Sequence, residues 1–333
     1  MTVPDLDALL DAAHVVAVPT RVRFRGIEVR EAVLFDGPAG WGEFAPFLEY
    51  GPAEASRWLA SAVEAAWDGW PEPVRETVPV NATVPGVPAA GVPEVLARFP
   101  GCTTAKVKVA EPGQTPADDV ERVAAVRDVL GASGRVRVDA NGAWSVEEAA
   151  DALAQLAPFG LEYAEQPCAT VEDLRDLRLV LARRGVDVPV AADESVRKAE
   201  DPLRVRDLGA ADVVVVKVAP LGGVRRALEV VEACGLPAVV SSALDTSVGI
   251  AAGVALAAAL PTLDHACGLG TVALLAGDVA ARPLLPDRGV LPVGRVAADP
   301  ALLDRWAASP DRVAWWRHRV AAAHAVLAEG AHR

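Results

Sequence analysis

A repeated strand–loop–helix pattern between residues 78 and 274 places the strongest constraint on how this chain can fold. Short runs rich in valine and alanine alternate with segments whose apolar residues recur every three to four positions. The predicted strands are Val78–Val84, Thr104–Val109, Val136–Asp139, Leu161–Glu165, Val188–Asp193, Asp212–Val218, Ala238–Ser241 and Leu263–His265. Continuous valine runs, such as residues 213–216, are typical of a parallel sheet covered on both faces. The pattern therefore predicts an α/β fold, a modified TIM-type (β/α)7β barrel rather than a doubly wound sheet.

The two ends of the chain carry a different pattern. Residues 14–43 alternate between apolar and polar positions without long helices between them, which predicts antiparallel strands. Pro52–Trp70 has the apolar stripe of a helix, and Pro300–Leu327 is predicted to be a final helix. We expect both ends to form one α+β capping domain. The predicted boundaries are 1–77 for the N-terminal part of the cap, 78–274 for the barrel and 275–333 for the C-terminal segment.

Charge and cysteine content narrow the classes of function. The formal net charge of −13 argues against a nucleic-acid partner or an anionic membrane surface, since both require clustered lysine and arginine. The four cysteines, Cys102, Cys168, Cys234 and Cys267, are scattered without a CxxC pair, which favours free thiols in a reducing compartment. Residues 1–10 lack a basic leader, and the apolar run Val248–Leu260 is too short to span a bilayer. We expect a cytoplasmic protein that acts on a small molecule; the number of subunits stays open.

Polar residues stand at the C-terminal tips of five successive predicted strands, which is where barrels of this type place their active sites. In chain order they are Lys106 and Lys108, Asp139, Glu165, Asp193 and Lys217. Three carboxylates on consecutive strands would repel one another at the barrel mouth, and a hard divalent cation resolves that repulsion. The sequence therefore predicts a Mg²⁺ site, with Mn²⁺ as a possible substitute. A lysine beside a bound cation and partly desolvated can act as a base near neutral pH.

Several of these residues have a second interpretation. Glu194 can replace Asp193 as the metal ligand, and Asn141 can be a turn residue as readily as a substrate contact. Lys217 by itself fits a Schiff-base barrel enzyme such as a class I aldolase, which needs no metal. A barrel that only binds a ligand would leave three acids and three lysines together without a chemical role.

The motifs as a set resemble the enolase superfamily, in the subgroup of muconate lactonizing enzyme, over nearly the whole chain. They are KxK at Lys106 and Lys108, DxN at Asp139 and Asn141, EQP at 165–167, DES at 193–195 and the later Lys217. The resemblance implies that Asp139, Glu165 and Asp193 bind Mg²⁺. It also implies that Lys108 and Lys217 face opposite sides of the substrate α-carbon, with Lys106 assisting. The shared step is removal of a proton next to a carboxylate to give a metal-stabilised enediolate.

Within that subgroup the chain is most similar to the o-succinylbenzoate synthase family of menaquinone biosynthesis. The similarity lies in FRGI at 24–27, GWGEFAPF at 40–47, SSALDTSVG at 241–249 and GLGT at 268–271. It implies a syn elimination of water in which Lys108 removes the α-proton and Lys217 stays charged. It also implies a cap loop, Arg21–Gly26, that covers the substrate. The residues implied to bind a small carboxylate substrate are Asn141, Ser241, Ser242, Gly268, Leu269, Gly270, Thr271, Arg21 and Phe24. N-succinylamino acid racemase activity, which uses the same two lysines, is the nearest alternative; a dipeptide epimerase is disfavoured because the eighth strand lacks its acidic pair.

Overall fold

The structure, a computed structural model, describes residues 3–24, 26–197 and 202–331. Within these residues the chain forms a seven-stranded parallel sheet, a three-stranded antiparallel sheet and a two-stranded antiparallel pair. The strands are β1 Ala13–Phe24, β2 Ile27–Gly37, β3 Gly40–Phe44, β4 Thr77–Pro79, β5 Ala82–Val84, β6 Thr104–Lys108, β7 Arg135–Asp139, β8 Leu161–Glu165, β9 Val190–Ala192, β10 Val213–Val216, β11 Ala238–Val240 and β12 Val290–Pro292.

Helices cover the outside of the parallel sheet and complete the two ends of the chain. They are α1 Leu6–Asp11, α2 Pro52–Val63, α3 Val92–Leu96, α4 Pro116–Leu130, α5 Val146–Leu156, α6 Val171–Arg184, α7 Glu194–Arg197, α8 Arg204–Asp207, α9 Val218–Leu221, α10 Val224–Cys234, α11 Ser247–Ala259, α12 Pro300–Arg305 and α13 Pro310–Ala331. Thr115 with Asp118, and Ser145 with Glu148, have the sequence spacing that predicts a helix N-cap. The structure confirms both, because each pair forms a reciprocal capping box, at the starts of α4 and α5 respectively.

The parallel sheet curls into the predicted barrel, with β5 to β11 as neighbours in chain order. Short contacts rather than a full strand close the ring: the Cys267 amide donates to the Pro79 carbonyl, and the Gly268 amide donates to the Val240 carbonyl, both at 2.8 Å. The predicted eighth strand, Leu263–His265, is therefore wrong. An alternation of three residues is too short to fix a strand, and the closing position is set by contact with β11.

The predicted first strand, Val78–Val84, divides into two elements with different partners. Strand β4 pairs with β12 in antiparallel fashion, whereas β5 pairs with β6 inside the barrel. The change occurs between Val80, whose amide donates to Gly289, and Asn81, whose amide donates to Cys267. A continuous apolar run cannot reveal such a change of partner strand, because buried valines are compatible with both pairings.

The cap consists of the antiparallel sheet β1–β2–β3, with α2 and α13 packed together beside it. Its core holds Phe44, Trp58 and Trp316, each at most 1% exposed. The predicted helix Pro52–Trp70 runs as an α-helix only to Val63 and continues as a π-helical turn over Glu64–Asp68. The single helix predicted over Pro300–Leu327 is wrong, because α12 ends at Arg305 and α13 starts afresh at Pro310, which cannot sit inside a continuous helix.

The thiol prediction is confirmed for all four cysteines, which are free, and three of them are buried. Burial raises the pKa of Cys102 and Cys267 to about 11, as expected for unreactive thiols. Among the described helices none has the length and apolar character needed to cross a bilayer. The division of the chain at residues 77/78 and 274/275 stays a prediction.

Candidate active site

The barrel strands bring the predicted charged residues to one rim. Neighbouring strands place Lys108 beside Asp139, and Asp139 beside Glu165, in direct register. Asp193 and Lys217 follow β9 and β10 by one residue each. Lys106 lies two residues before Lys108 and so points to the same side of β6. All six side chains are buried; the exposed fraction of each residue is at most 7%.

The lysines and carboxylates form a continuous ion-paired cluster. Lys106 Nζ donates to both oxygens of Glu165, at 2.7 and 2.9 Å, and lies 3.3 Å from Asp139 Oδ2. Lys108 Nζ lies 2.5 Å from the same Asp139 oxygen. Lys217 Nζ contacts Asp193 Oδ2. The three positive and three negative groups therefore balance one another in a buried region.

The proximity of these charges shifts their pKa values in opposite directions. Burial favours neutral Asp139, but Lys108 and Lys106 outweigh it and hold the pKa of Asp139 well below its usual range. Burial, followed by repulsion from Asp139, raises the pKa of Glu165 to about 7. For Lys106, burial is outweighed by Glu165 and Asp139, so its pKa lies above the ordinary value. Glu165 and Asp139 thus hold Lys106 in its charged form.

The chemistry of the carboxylate set fits a hard divalent cation. Asp139, Glu165 and Asp193 offer only oxygen donors, and Asp139 and Asp193 both act to raise the pKa of Glu165, so the three negative charges are close enough to repel. The lysine ammonium groups lie between these carboxylates. As the side chains are arranged, the described part of the chain contains no set of three His, Cys, Asp or Glu residues drawn together around a common point.

The cluster forms the floor of a cavity that the cap covers. Its free volume is about 30 Å³, and its wall includes Lys106, Lys108 and Lys217. Phe24 and Phe47 extend into it from the cap, and the Phe24 ring centroid lies 5.4 Å from Lys108 Nζ. Residues 241–244, which follow β11, form a further part of its wall. Barrel and cap thus both contribute to one enclosed space.

Most of the predicted substrate-binding residues line this cavity, and three do not. Those that line it are Phe24, Asn141, Ser241, Ser242, Gly268 and Thr271. Leu269 borders an adjoining cavity beside Lys217 instead. Gly270 faces the Asn81 carbonyl and the Phe99 ring. Arg21 lies in a separate surface pocket with Arg98, and Arg25, inside the predicted cap loop, is outside the described residues.

Asn141 lines the cavity and also contacts Lys108. Its backbone is left-handed, with φ +48°, and its amide donates to Asp139 Oδ1 at 3.0 Å. Its side-chain oxygen accepts a hydrogen bond from Lys108, and its side-chain nitrogen donates to Glu194 Oε1 at 3.2 Å. Asn141 thus has the backbone conformation of a turn residue and a side chain that contacts Lys108, whereas its contact with substrate stays a prediction. Glu194, the alternative metal ligand, contacts this asparagine.

Sequence reasoning missed four residues that line the cavity: Phe47, Thr83, Ala243 and Leu244. Thr83 stands at the tip of β5, is 2% exposed, and its hydroxyl has no hydrogen-bond partner among the described residues. The rule that singled out the other strand tips applies to this one too. Phe47 comes from the cap segment after β3. It belongs to the GWGEFAPF motif, so the resemblance contained it, but apolar residues give no local indication of a site.

Comparison with known proteins assigns the family. Family models described as Enolase C-terminal domain-like and Enolase N-terminal domain-like match residues 94–297 and 15–66. An o-succinylbenzoate synthase from Mycolicibacterium smegmatis is 60% identical over 326 residues, which cover 98% of this chain and 99% of the relative. The chain belongs to the o-succinylbenzoate synthase family. Another member, from Thermobifida fusca, is 61% identical over 309 residues, covering 93% of this chain and 95% of the relative.

Solved structures support the same architecture. Muconate lactonizing enzyme from Pseudomonas putida superposes with a TM-score of 0.73 at 22% identity, covering 89% of this chain and 98% of that enzyme. An N-succinyl Arg/Lys racemase from Bacillus cereus superposes with a TM-score of 0.72 at 17% identity, covering 89% and 97%. At such identities the likeness concerns the fold alone. The predicted barrel with a cap of the enolase type is confirmed.

Proposed function

We propose that this protein is an o-succinylbenzoate synthase, a lyase of menaquinone biosynthesis. It removes water from 2-succinyl-6-hydroxy-2,4-cyclohexadiene-1-carboxylate and releases 2-succinylbenzoate. The observation that carries this conclusion is the identity of about 60% to o-succinylbenzoate synthases over nearly the full length of both chains. The cluster of lysines and carboxylates under the cap is suited to the chemistry, because the reaction begins with a proton next to a carboxylate.

Lys108 is assigned as the acid–base residue. In its neutral form it removes the proton from the ring carbon that bears the carboxylate, and the electron pair of that C–H bond moves into an enediolate. The pair then forms the new ring double bond as the neighbouring C–O bond breaks. The Lys108 ammonium group gives its proton to the departing hydroxyl on the same face, so that water leaves and the lysine is neutral again. Asn141 and Asp139, which both contact Lys108 Nζ, orient it for these two transfers.

Lys217 supplies positive charge from another side of the cavity. It follows β10, which is separated from β6 by the three strands β7 to β9, so both lysines face the enclosed space from separate directions. Its ammonium group lowers the energy of the enediolate, and Lys106 assists from the floor of the cavity. Asp139, Glu165 and Asp193 would hold Mg²⁺, which when bound neutralises the charge that develops on the substrate carboxylate. Ser241, Ser242 and Thr271 are assigned to the succinyl side of the substrate.

The test is steady-state turnover of the purified protein with Mg²⁺ on two substrates. One is the cyclohexadiene carboxylate, followed by loss of diene absorbance, and the other is an N-succinyl amino acid, followed by optical rotation. Dehydration that is far faster than racemisation supports the synthase. The opposite ranking makes racemisation the main activity of the same residues, and no turnover of either substrate contradicts the proposal.

A second measurement separates this chemistry from that of a Schiff-base aldolase. Removal of the divalent ion by EDTA should abolish turnover, whereas borohydride in the presence of substrate should leave the protein active and without a covalent adduct. Activity that is indifferent to EDTA but lost on reduction would contradict the metal assignment. The free cysteines support a reducing compartment, and we place the enzyme in the cytoplasm.

A further inference from the structure

Charged residues of two sequence motifs meet at the junction of cap and barrel, where they line the adjoining cavity together with Lys217. Glu43 belongs to GWGEFAPF in the cap, and Asp245 belongs to SSALDTSVG after β11. Arg30, from β2 of the cap, lies 3.7 Å from Asp245 Oδ1 through its Nη2 atom. Glu43 and Arg30 are 7% and 4% exposed. Buried charges of this kind are costly unless their hydrogen bonds are satisfied, so their partners indicate what they hold in place.

Glu43 caps a barrel helix from outside the barrel. Its carboxyl group accepts hydrogen bonds from the Thr246 amide, from the Thr246 hydroxyl and from the Gly249 amide, the first and last at 3.1 Å. These donors belong to the N-cap and first turn of α11, where free amides favour an acceptor. A Cβ atom at Gly249 would lie 2.9 Å from Glu43 Cδ, so the fit requires glycine there. Cap strand β3 is therefore bonded directly to the start of α11.

Arg30 holds the residues that lead into this helix. Its Nε atom donates to the Leu244 carbonyl at 3.1 Å, and its Nη2 atom donates to the Ala45 carbonyl in the cap. Leu244 has φ +64°, a left-handed conformation that L-residues seldom adopt unless the surroundings impose it. Asp245 turns back to accept from the Ala243 amide at 2.9 Å. The bend at 243–245 is thus fixed from two sides.

The segment held in this way is a wall of the substrate cavity. Ser241, Ser242, Ala243 and Leu244 all line it, as does Phe47 from the cap. The Arg30 guanidinium carbon lies 5.1 Å from the Phe47 ring centroid, so one arginine contacts both the cap wall and the barrel wall. A shift of Arg30 would change the width of the cavity without altering any lysine.

We propose that Arg30 and Glu43 are positioning residues, which fasten the Ser241–Leu244 wall to the cap and thereby set the affinity of the enzyme for its substrate. The inference deepens the proposed function and rests on it for the identity of the substrate. The two residues act through the backbone of residues 243–249 and through Phe47. Their loss should therefore raise KM, because the wall binds substrate and transition state alike, and should leave the proton transfers of Lys108 largely intact.

The kinetic test compares Arg30→Met with Arg30→Lys and with a matched control, Arg127→Met. Arg127 also donates hydrogen bonds to backbone carbonyls, but at the end of the barrel opposite the strand tips. Its acceptors are the carbonyls of Gly131, Gly134, Phe159 and Gly160. Arg30→Met should raise KM about tenfold and change kcat less than about threefold, and Arg30→Lys should recover part of the loss. Arg127→Met should lower the melting temperature without changing KM. An unchanged KM in Arg30→Met, or an equal rise in the control, overturns the proposal.

A structural measurement keeps the inference testable if the substrate assignment fails or if Arg30→Met does not fold. Glu43→Ala should speed amide hydrogen exchange in peptides that cover residues 241–249, whereas Glu43→Gln, which keeps an acceptor for Thr246, should change it less. Exchange in the Glu43→Ala protein that is unchanged across these residues overturns the proposal. Faster exchange there, together with an inactive wild-type protein, would retain the positioning role and reject the proposed function instead.

Discussion

At the scale of single residues, the proposed active site is a balanced set of buried charges. Asp139 has two lysine partners, whereas Glu165 and Asp193 receive hydrogen bonds from Lys106 and Lys217 respectively. Removing one member of a buried ion pair is damaging when it leaves the other charge uncompensated. Because Asp139 keeps Lys106 when Lys108 is removed, the Lys108 position is the one at which a substitution tests chemistry with the least disturbance of folding.

Replacing Lys108 by alanine should abolish dehydration while the protein stays folded. General acid–base catalysis contributes roughly 10² to 10⁴ in rate, and Lys108 is assigned to both proton transfers, so we expect kcat to fall by at least about 10³. Steady-state loss of diene absorbance measures this, with the melting temperature as the control for folding. A fall of less than about tenfold in kcat would reject Lys108 as the acid–base residue.

Lys217→Arg separates the role of a charge from the role of a base. Arginine keeps the positive charge but cannot lose its proton near neutral pH, so racemisation, which needs a base on each face, should disappear. Dehydration should persist at a reduced rate, since it needs only the charge at this position. The two activities of the variant are compared with those of the wild type, and equal small losses in both would contradict the division of roles.

At the scale of elements, prediction succeeded where local chemistry and periodicity agree. The capping residues Thr115 and Ser145 and the charged strand tips could be read directly, because each depends on a few neighbouring positions. The division of the first strand at Val80 and the closure at Cys267 could not, because they depend on which distant strand supplies the hydrogen bonds. The bend at Leu244 could not be predicted either, because its carbonyl is held by Arg30, more than two hundred residues earlier in the chain.

Gly42 is expected to be essential for the contact between β3 and α2. A Cβ atom there would lie 2.2 Å from the Ala62 carbonyl oxygen, a backbone atom that can move only with the helix. Gly42→Ala should therefore lower the free energy of unfolding by about 1–3 kcal/mol, as overpacking does. Gly294→Ala is the control, since a Cβ at that position meets nothing within 4 Å. The melting temperatures of the two variants test this expectation. Equal values would contradict it and would show that β3 and α2 can move apart without loss of stability.

At the scale of the whole molecule, the cap is joined to the barrel by a group that titrates near neutral pH. Burial, followed by the nearby Asp245 carboxylate, raises the pKa of Glu43 from 4.5 to about 8, and the Thr246 and Arg30 groups oppose the rise. A raised carboxyl pKa means that the folded protein binds a proton more tightly than the unfolded chain. The contribution of Glu43 to stability is therefore fully present at about pH 4.5 and is lost as the pH rises to about 8.

Glu43→Gln should remove that part of the pH dependence. Ionisation of one group changes the free energy of unfolding by at most about 1.4 kcal/mol per pH unit. The wild type should therefore lose stability relative to the variant between pH 5 and 8. Melting temperatures of both proteins across this range give the difference, in which titration of other groups cancels. Parallel curves would mean that Glu43 ionises with an ordinary pKa in the folded protein.

Metal binding should stabilise the whole molecule, because only the folded barrel brings Asp139, Glu165 and Asp193 to the same rim. A ligand that binds the folded state alone adds about 2.7 kcal/mol when it is present at a hundred times its dissociation constant. The melting temperature should therefore rise with Mg²⁺, and Mn²⁺ should act in the same way.

Sodium chloride at equal ionic strength is the control, since salt weakens the lysine–carboxylate pairs without replacing them. Asp193→Asn should cancel the rise by removing a ligand charge that also pairs with Lys217. A melting temperature that rises equally in the variant would place the bound ion elsewhere.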